Sequence, residues 1–107
     1  MTKAKRLQGR SVRPTTPGEI LREDVLPELG ISQGELASRL GVSRKTISEV
    51  LTEKRPVSPD LAHRLGRALG NGPGLWLNMQ SSVDMWDALH KMDAKKYQGI
   101  ELLQKAA

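Results

Sequence analysis

Between Ser32 and Leu51 two helical patterns follow one another with room for only a very short turn between them. Ser32 and Glu35 form a capping box, in which a hydroxyl and a carboxylate each satisfy a backbone N–H that the first helical turn leaves open. Leu36, Ala37 and Leu40 then recur at helical spacing, and Gly41 stops the pattern. Ser43 caps the next helix, whose apolar positions are Ile47, Val50 and Leu51. A connection as short as Gly41-Val42 makes the two helices cross steeply, and that is the helix-turn-helix arrangement. It sets several steric demands at once. Ala37 is small where the helices approach, and Gly41 can take the positive φ that the turn needs. Leu36, Leu40, Val42, Ile47 and Val50 fill the space between the helices and the rest of a core. One such match is weak, but all seven positions meet the demand together.

The rest of the chain is punctuated in the same way. Thr16-Pro17-Gly18-Glu19 is a helix start, with Thr16 as cap, Pro17 at the first position and Glu19 completing a capping box. Ile20, Leu21, Val25 and Leu26 carry that helix, and Pro27 and Gly30 are expected to end it. Lys54 to Val57 reads as a loop. Ser58-Pro59 opens a fourth helix with Leu61, Ala62, Leu65, Ala68 and Leu69 on one face. After the breaker cluster Gly70-Asn71-Gly72-Pro73-Gly74, a fifth helix is expected from Pro73 toward Gln80, with a further turn or short helix near Trp86 and Leu89. Ile100, Leu102 and Leu103 have weak helical character. No strand-like alternation is sustained and no repeat recurs. The expectation is an all-α domain of about five short helices over residues 15–90, a basic flexible arm over 1–14 and a tail over 91–107.

Charge enters only through its distribution. The net charge is +5, from 17 Lys plus Arg against 12 Asp plus Glu. Lys3, Lys5, Arg6, Arg10 and Arg13 account for the whole excess, so it sits on the arm and leaves the body neutral. The arm either steers the protein toward phosphates or is a solvated leader. It has no interleaved aromatics, which argues against single-stranded RNA binding. The chain has no cysteine, which excludes disulfides and thiolate metal sites. Its apolar runs are too short for a membrane span or a secretory leader. A cytoplasmic protein is expected.

With Ile47, Val50 and Leu51 inward, the third helix presents Lys45, Ser48, Glu49 and Thr52 outward, and Arg44 flanks them. In a helix-turn-helix the N-terminal part of this second helix enters the major groove of duplex DNA. Arg44 and Lys45 are candidates for guanine acceptors or phosphates, and Ser43, Thr46 and Ser48 for bases or phosphates. Gln33, opening the helix that crosses the backbone, is placed for a phosphate. Lys54 and Arg55 are expected as non-specific clamps. Glu49 stays unassigned: it either accepts from a cytosine amine or stands outside the groove.

From Arg13 to about Leu89 the chain resembles the HigA family of antitoxins, a branch of the Xre-type helix-turn-helix regulators. The resemblance rests on Arg13-Pro14-Thr15-Thr16-Pro17-Gly18-Glu19-Ile20-Leu21, Gly30-Ile31-Ser32, Leu40-Gly41-Val42-Ser43, Lys54-Arg55-Pro56-Val57-Ser58 and Leu75-Trp76-Leu77-Asn78-Met79-Gln80. It implies a lambda-repressor-like domain and a homodimer that binds a palindromic operator and represses its own operon. It also implies a partner, a small RelE-like toxin that cleaves mRNA. A solitary repressor without a toxin is the alternative. Leu75, Trp76 and Met79 fall where such proteins form the dimer, but Gly74 replaces the acid that relatives tend to have there.

The remaining residues carry less. Trp76 reads as core or dimer interface, and Trp86 as a partner contact or core filling. Asp60 and His63 stand one helical turn apart, close enough to pair. No nucleophile, oxyanion element, metal-ligand spacing or glycine-rich phosphate loop is suggested, so neither an enzyme nor a cofactor is expected.

Overall fold

The structure is a computed structural model that describes residues 12–90 and 94–104. Most of the expected basic arm, residues 1–11, lies outside the described residues, as do 91–93 and 105–107 of the tail. Among the described residues, five helices build the body. Helix α1 covers residues 17–29, α-helical over Pro17–Ile20, π-helical over Leu21–Val25 and α-helical again over Leu26–Leu29. Then come α2 (Gln33–Leu40), α3 (Arg44–Leu51), α4 (Pro59–Leu69), α5 (Pro73–His90) and a 3₁₀ turn (Ala94–Tyr97). No strand forms among the described residues.

The helix starts are set locally. The side chains of Thr16, Ser32, Ser43 and Ser58 each accept from the backbone N–H three residues on, at 3.0–3.1 Å. Each satisfies a donor that the first turn cannot. Two expectations about helix ends need correction. Pro27 does not end α1. The π turn ahead of it, closed by the Leu26 N–H on the Leu21 carbonyl, widens the ladder just where proline brings a bulky ring and no N–H. The helix continues to Gly30, which turns it with φ 67°. Nor does a break separate Gln80 from Trp86: α5 is one helix of 18 residues, since no Gly or Pro interrupts it after Gly74. The helical character expected around Ile100 to Leu103 is absent, and those side chains are exposed.

One core holds the helices together. Leu21, Leu36, Ala37, Leu40, Ile47, Val50, Leu51, Val57, Leu61, Ala62, Leu65 and Trp76 form a single buried cluster. Helix α4 lies along α5, α2 crosses α3, and the start of α1 rests on α3. Trp76 is 1% exposed and donates its indole N–H to Asn71 Oδ1 at 3.0 Å. Of the two readings, core or dimer interface, the structure shows the first: the indole is enclosed within one protomer. Among the described residues no helix is long and apolar enough to cross a membrane.

Gly18 shows how closely the elements meet. A Cβ built there would run into the Val50 carbonyl of α3. Helix propensity alone says that Gly18→Ala stabilises by up to ~1 kcal/mol. The contact says the reverse: in urea denaturation Gly18→Ala should cost about 1–3 kcal/mol, the range for overpacking a tight site. An unchanged or raised midpoint would contradict this packing.

Candidate nucleic-acid interface

The interface is built on the turn between α2 and α3. Gly41 has φ 74°, a left-handed conformation that costs a residue with a Cβ and costs glycine nothing. The Val42 N–H reaches back to the Ala37 carbonyl at 3.0 Å, and the Gly41 N–H to the Ser38 carbonyl at 3.2 Å. These bonds close the end of α2 in a Schellman-type cap. Ser43 then starts α3 at once. Its hydroxyl accepts from the Thr46 N–H at 3.1 Å and shares a hydrogen with the Thr46 hydroxyl at 2.9 Å.

Two arginines from outside the motif fix the far ends of its helices. Arg64 of α4 donates from Nη1 to the Leu40 carbonyl at 2.8 Å and more weakly to that of Gly41 at 3.4 Å. Its Nε also bonds Asp60 at 2.9 Å, so Asp60 pairs with Arg64 and not with His63. Arg22 of α1 donates to the Leu51 carbonyl, the last of α3, at 2.6 Å. Both place positive charge at a helix C-terminus, where carbonyls lack partners and the helix dipole is negative.

Helix α3 therefore buries Ile47, Val50 and Leu51 and has its other side free. Arg44 and Lys45 are exposed, and Thr46 and Ser48 are half-buried beside them. Gln33 is half-buried at the start of α2. The Arg44 side chain runs past the adjacent Gly34, where an added Cβ would stand 3.9 Å from its Cδ. The two helix starts and their polar side chains thus form one surface with Ser43, Arg44, Lys45 and Gln33 together. Lys54 is exposed beyond the end of α3.

Arg55 differs from the expectation of a free clamp. Its Nε and Nη2 both donate to Glu49 Oε1, at 2.9 and 2.7 Å. The Arg55 guanidinium holds the Glu49 carboxyl below the usual carboxylate range, and Lys45 and Lys54 add to the effect. Glu49 thus faces three cations, one of which bonds it directly. Arg13 also differs from its place on a loose arm. It clamps Asp87 of α5 through two nitrogens at 2.7 and 2.8 Å and donates to Glu53 at 2.7 Å. Those two carboxylates push its pKa up, so it is charged at any working pH. Arg13 belongs electrically to the body. Sequence reading missed Arg22, Arg64 and the Glu49 pairing because each joins residues distant in the chain or across a loop. The one local signal was the placement of Glu49 among basic residues.

Leu75 is exposed on α5, and Met79 and Trp86 are half-buried. The Trp86 ring stacks on His90, with centroids 4.4 Å apart. The same helix leaves Leu89 58% exposed.

Residues 21–77 match the helix-turn-helix family. Over 79 residues the chain is 39% identical to antitoxin HigA-1 of Vibrio cholerae, a match spanning 74% of each chain. The chain is a helix-turn-helix protein of the HigA antitoxin family. It also superposes on antitoxin HigA of Pseudomonas aeruginosa, solved with the higBA promoter, at a TM-score of 0.78 and 38% identity; the match covers 86% of this chain and all of that one. Antitoxin GraA in complex with its operator gives a TM-score of 0.78 at 37% identity, covering 88% of this chain and 95% of that one. This HigA-family chain is accordingly a DNA-binding regulator and not an enzyme.

The clamp at the turn has a measurable consequence. Arg64→Ala removes a charged hydrogen bond from the end of α2, and after discounting for partial solvent exposure it should lower unfolding stability by roughly 1 kcal/mol. Arg64→Lys should recover part of that, and Arg64→Ala should also weaken operator binding, because the freed turn sits between both helices of the motif. Equal stability and equal DNA affinity in Arg64→Ala would show that the turn holds itself.

Proposed function

We propose that this protein is the antitoxin of a toxin–antitoxin pair: a homodimer that reads a palindromic operator of its own operon through α3 and neutralises a RelE-like, mRNA-cleaving toxin. The observation that carries the DNA half is the composed surface at the starts of α2 and α3. Ser43, Arg44, Lys45, Thr46 and Ser48 stand on the free side of a helix whose other side is wholly buried. Arg44 and Lys45 are the residues for guanine edges or phosphates, and Gln33 and Lys54 for the backbone. The relatives solved with a promoter and with an operator support the same reading.

The dimer is supported by α5. Leu75, Met79, Ser82, Trp86 and Leu89 recur at intervals of four and three, the spacing of a helix seam that packs against another helix. Leu75 and Leu89 are exposed at its ends, and Met79 borders the core that Trp76 enters. One reading helix offers one half-site, and two-fold symmetry supplies the second about 34 Å away. The toxin half is supported by the kinship with antitoxin HigA-1.

The two activities separate by mutation. Arg44→Ala and Lys45→Ala should each weaken operator binding by ~1–3 kcal/mol where the side chain contacts a guanine, and together should abolish repression of a reporter. Neutralisation of the toxin, scored by growth on co-expression with the neighbouring gene, should survive. Repression intact in the double variant would remove α3 from the reading role. Loss of both activities would mean that one surface serves DNA and toxin alike. If no small protein co-purifies with this chain expressed from its own locus, the toxin half fails and a solitary repressor is left.

A further inference from the structure

On the proposed reading helix an acidic side chain, Glu49, is already bonded to a cation of the fold. Glu49 lies on α3 one turn after Lys45, in a position that repels phosphates. Its partner is Arg55, just past the end of the helix. The chain reverses there through Glu53, whose φ of 63° is left-handed for a residue with a Cβ. The reversal brings the N–H groups of Lys54 and Arg55 onto the Glu49 carbonyl, at 2.8 and 3.2 Å. Side chain and backbone of Arg55 thus both close on Glu49, and the guanidinium gives two hydrogen bonds to one carboxylate oxygen. The Glu49 side chain is 28% exposed and that of Arg55 46% exposed, so the pair sits at the edge of the surface.

We propose that Glu49 determines specificity by holding Arg55 back from the phosphate backbone. The proposal rests on α3 being the reading helix. An unpaired arginine at this site binds any duplex, since a phosphate contact carries no sequence information. Each such contact contributes about 0.9 to the slope of log affinity against log salt. Paired with Glu49, Arg55 adds no net charge to the surface. Arg44 and Lys45, at the start of α3, are left to dominate binding, and affinity for unrelated DNA stays low. The ratio between operator and other DNA rises without any added base contact.

The test is a double-mutant cycle on the full-length chain, read by fluorescence anisotropy over a salt series. The probes are sonicated mixed-sequence duplex DNA and the duplex upstream of the protein's own coding sequence. Glu49→Gln should tighten mixed-sequence binding several-fold and steepen its salt slope by about 0.9 per protomer. It should change upstream-duplex binding less, so that the specificity ratio falls. In an Arg55→Ala background the same Glu49→Gln change should lose most of that gain. Should Glu49→Gln melt early, Glu49→Met supplies a second neutral side chain of similar length.

The proposal is overturned if Glu49→Gln leaves mixed-sequence binding unchanged or weakens it. An equal gain with and without Arg55 would mean that Glu49 acts through its own charge alone. If the unmodified protein binds neither duplex, the reading of α3 fails and this inference falls with it. If it binds both and Glu49→Gln changes nothing, only the inference falls.

Discussion

The surface proposed to read DNA depends on a left-handed residue at one position. Gly41 reverses the chain within a three-residue connection between Leu40 and Arg44. Because the connection has no slack, the crossing of α2 and α3 is set by the turn and by the side chains packed inside it. Leu36, Ala37, Leu40, Ile47 and Val50 are all at least 95% buried. A helix of eight residues such as α3 is too short to be stable alone in water. Its order comes from that burial, from the Ser43 cap and from the Arg22 bond at its end. The free side inherits this rigidity, so Arg44 and Lys45 project from a fixed frame at no further cost in backbone entropy.

Arginine plays two opposed parts in this small domain. Arg22 and Arg64 are structural: each leaves its own helix to satisfy carbonyls at the end of another. Arg13 is also structural, joining the segment before α1 to α5 and to the turn after α3 through Asp87 and Glu53. The net charge of the chain therefore says little about its binding surface. What counts is which cations lack a carboxylate or carbonyl partner within the fold, and pairing removes Arg55 from that set as surely as it removes Arg13. The same network connects the exit of α3 to α5, the helix proposed to pair in the dimer.

What was legible in the sequence was local. The caps at Thr16, Ser32, Ser43 and Ser58, the turn at Gly41 and the inward set Ile47, Val50 and Leu51 follow from hydrogen bonds and periodicities spanning three or four residues. So the all-α fold and the helix-turn-helix could be read in advance. Pro27 misled because a proline normally closes a helix, and a π turn that makes room for it has no plain sequence signal. The length of α5 was underestimated because its buried and exposed apolar residues lie on different sides and blur any single stripe. Trp76 was placed between core and interface because its enclosure depends on Asn71 and on α4, which periodicity does not reveal. The Glu49–Arg55 pair was hidden by the left-handed turn at Glu53, which a non-glycine residue does not advertise.

The central claim is that α3, presented twice by a dimer, lies in the major groove. Guanine N7 lies on the floor of that groove, so methylation protection on the duplex upstream of the protein's own coding sequence reports on it directly. The account predicts two protected guanine-containing segments about ten base pairs apart, on one face of the duplex. Bound protein that shields the sugar–phosphate backbone while leaving every guanine N7 open to methylation would contradict it.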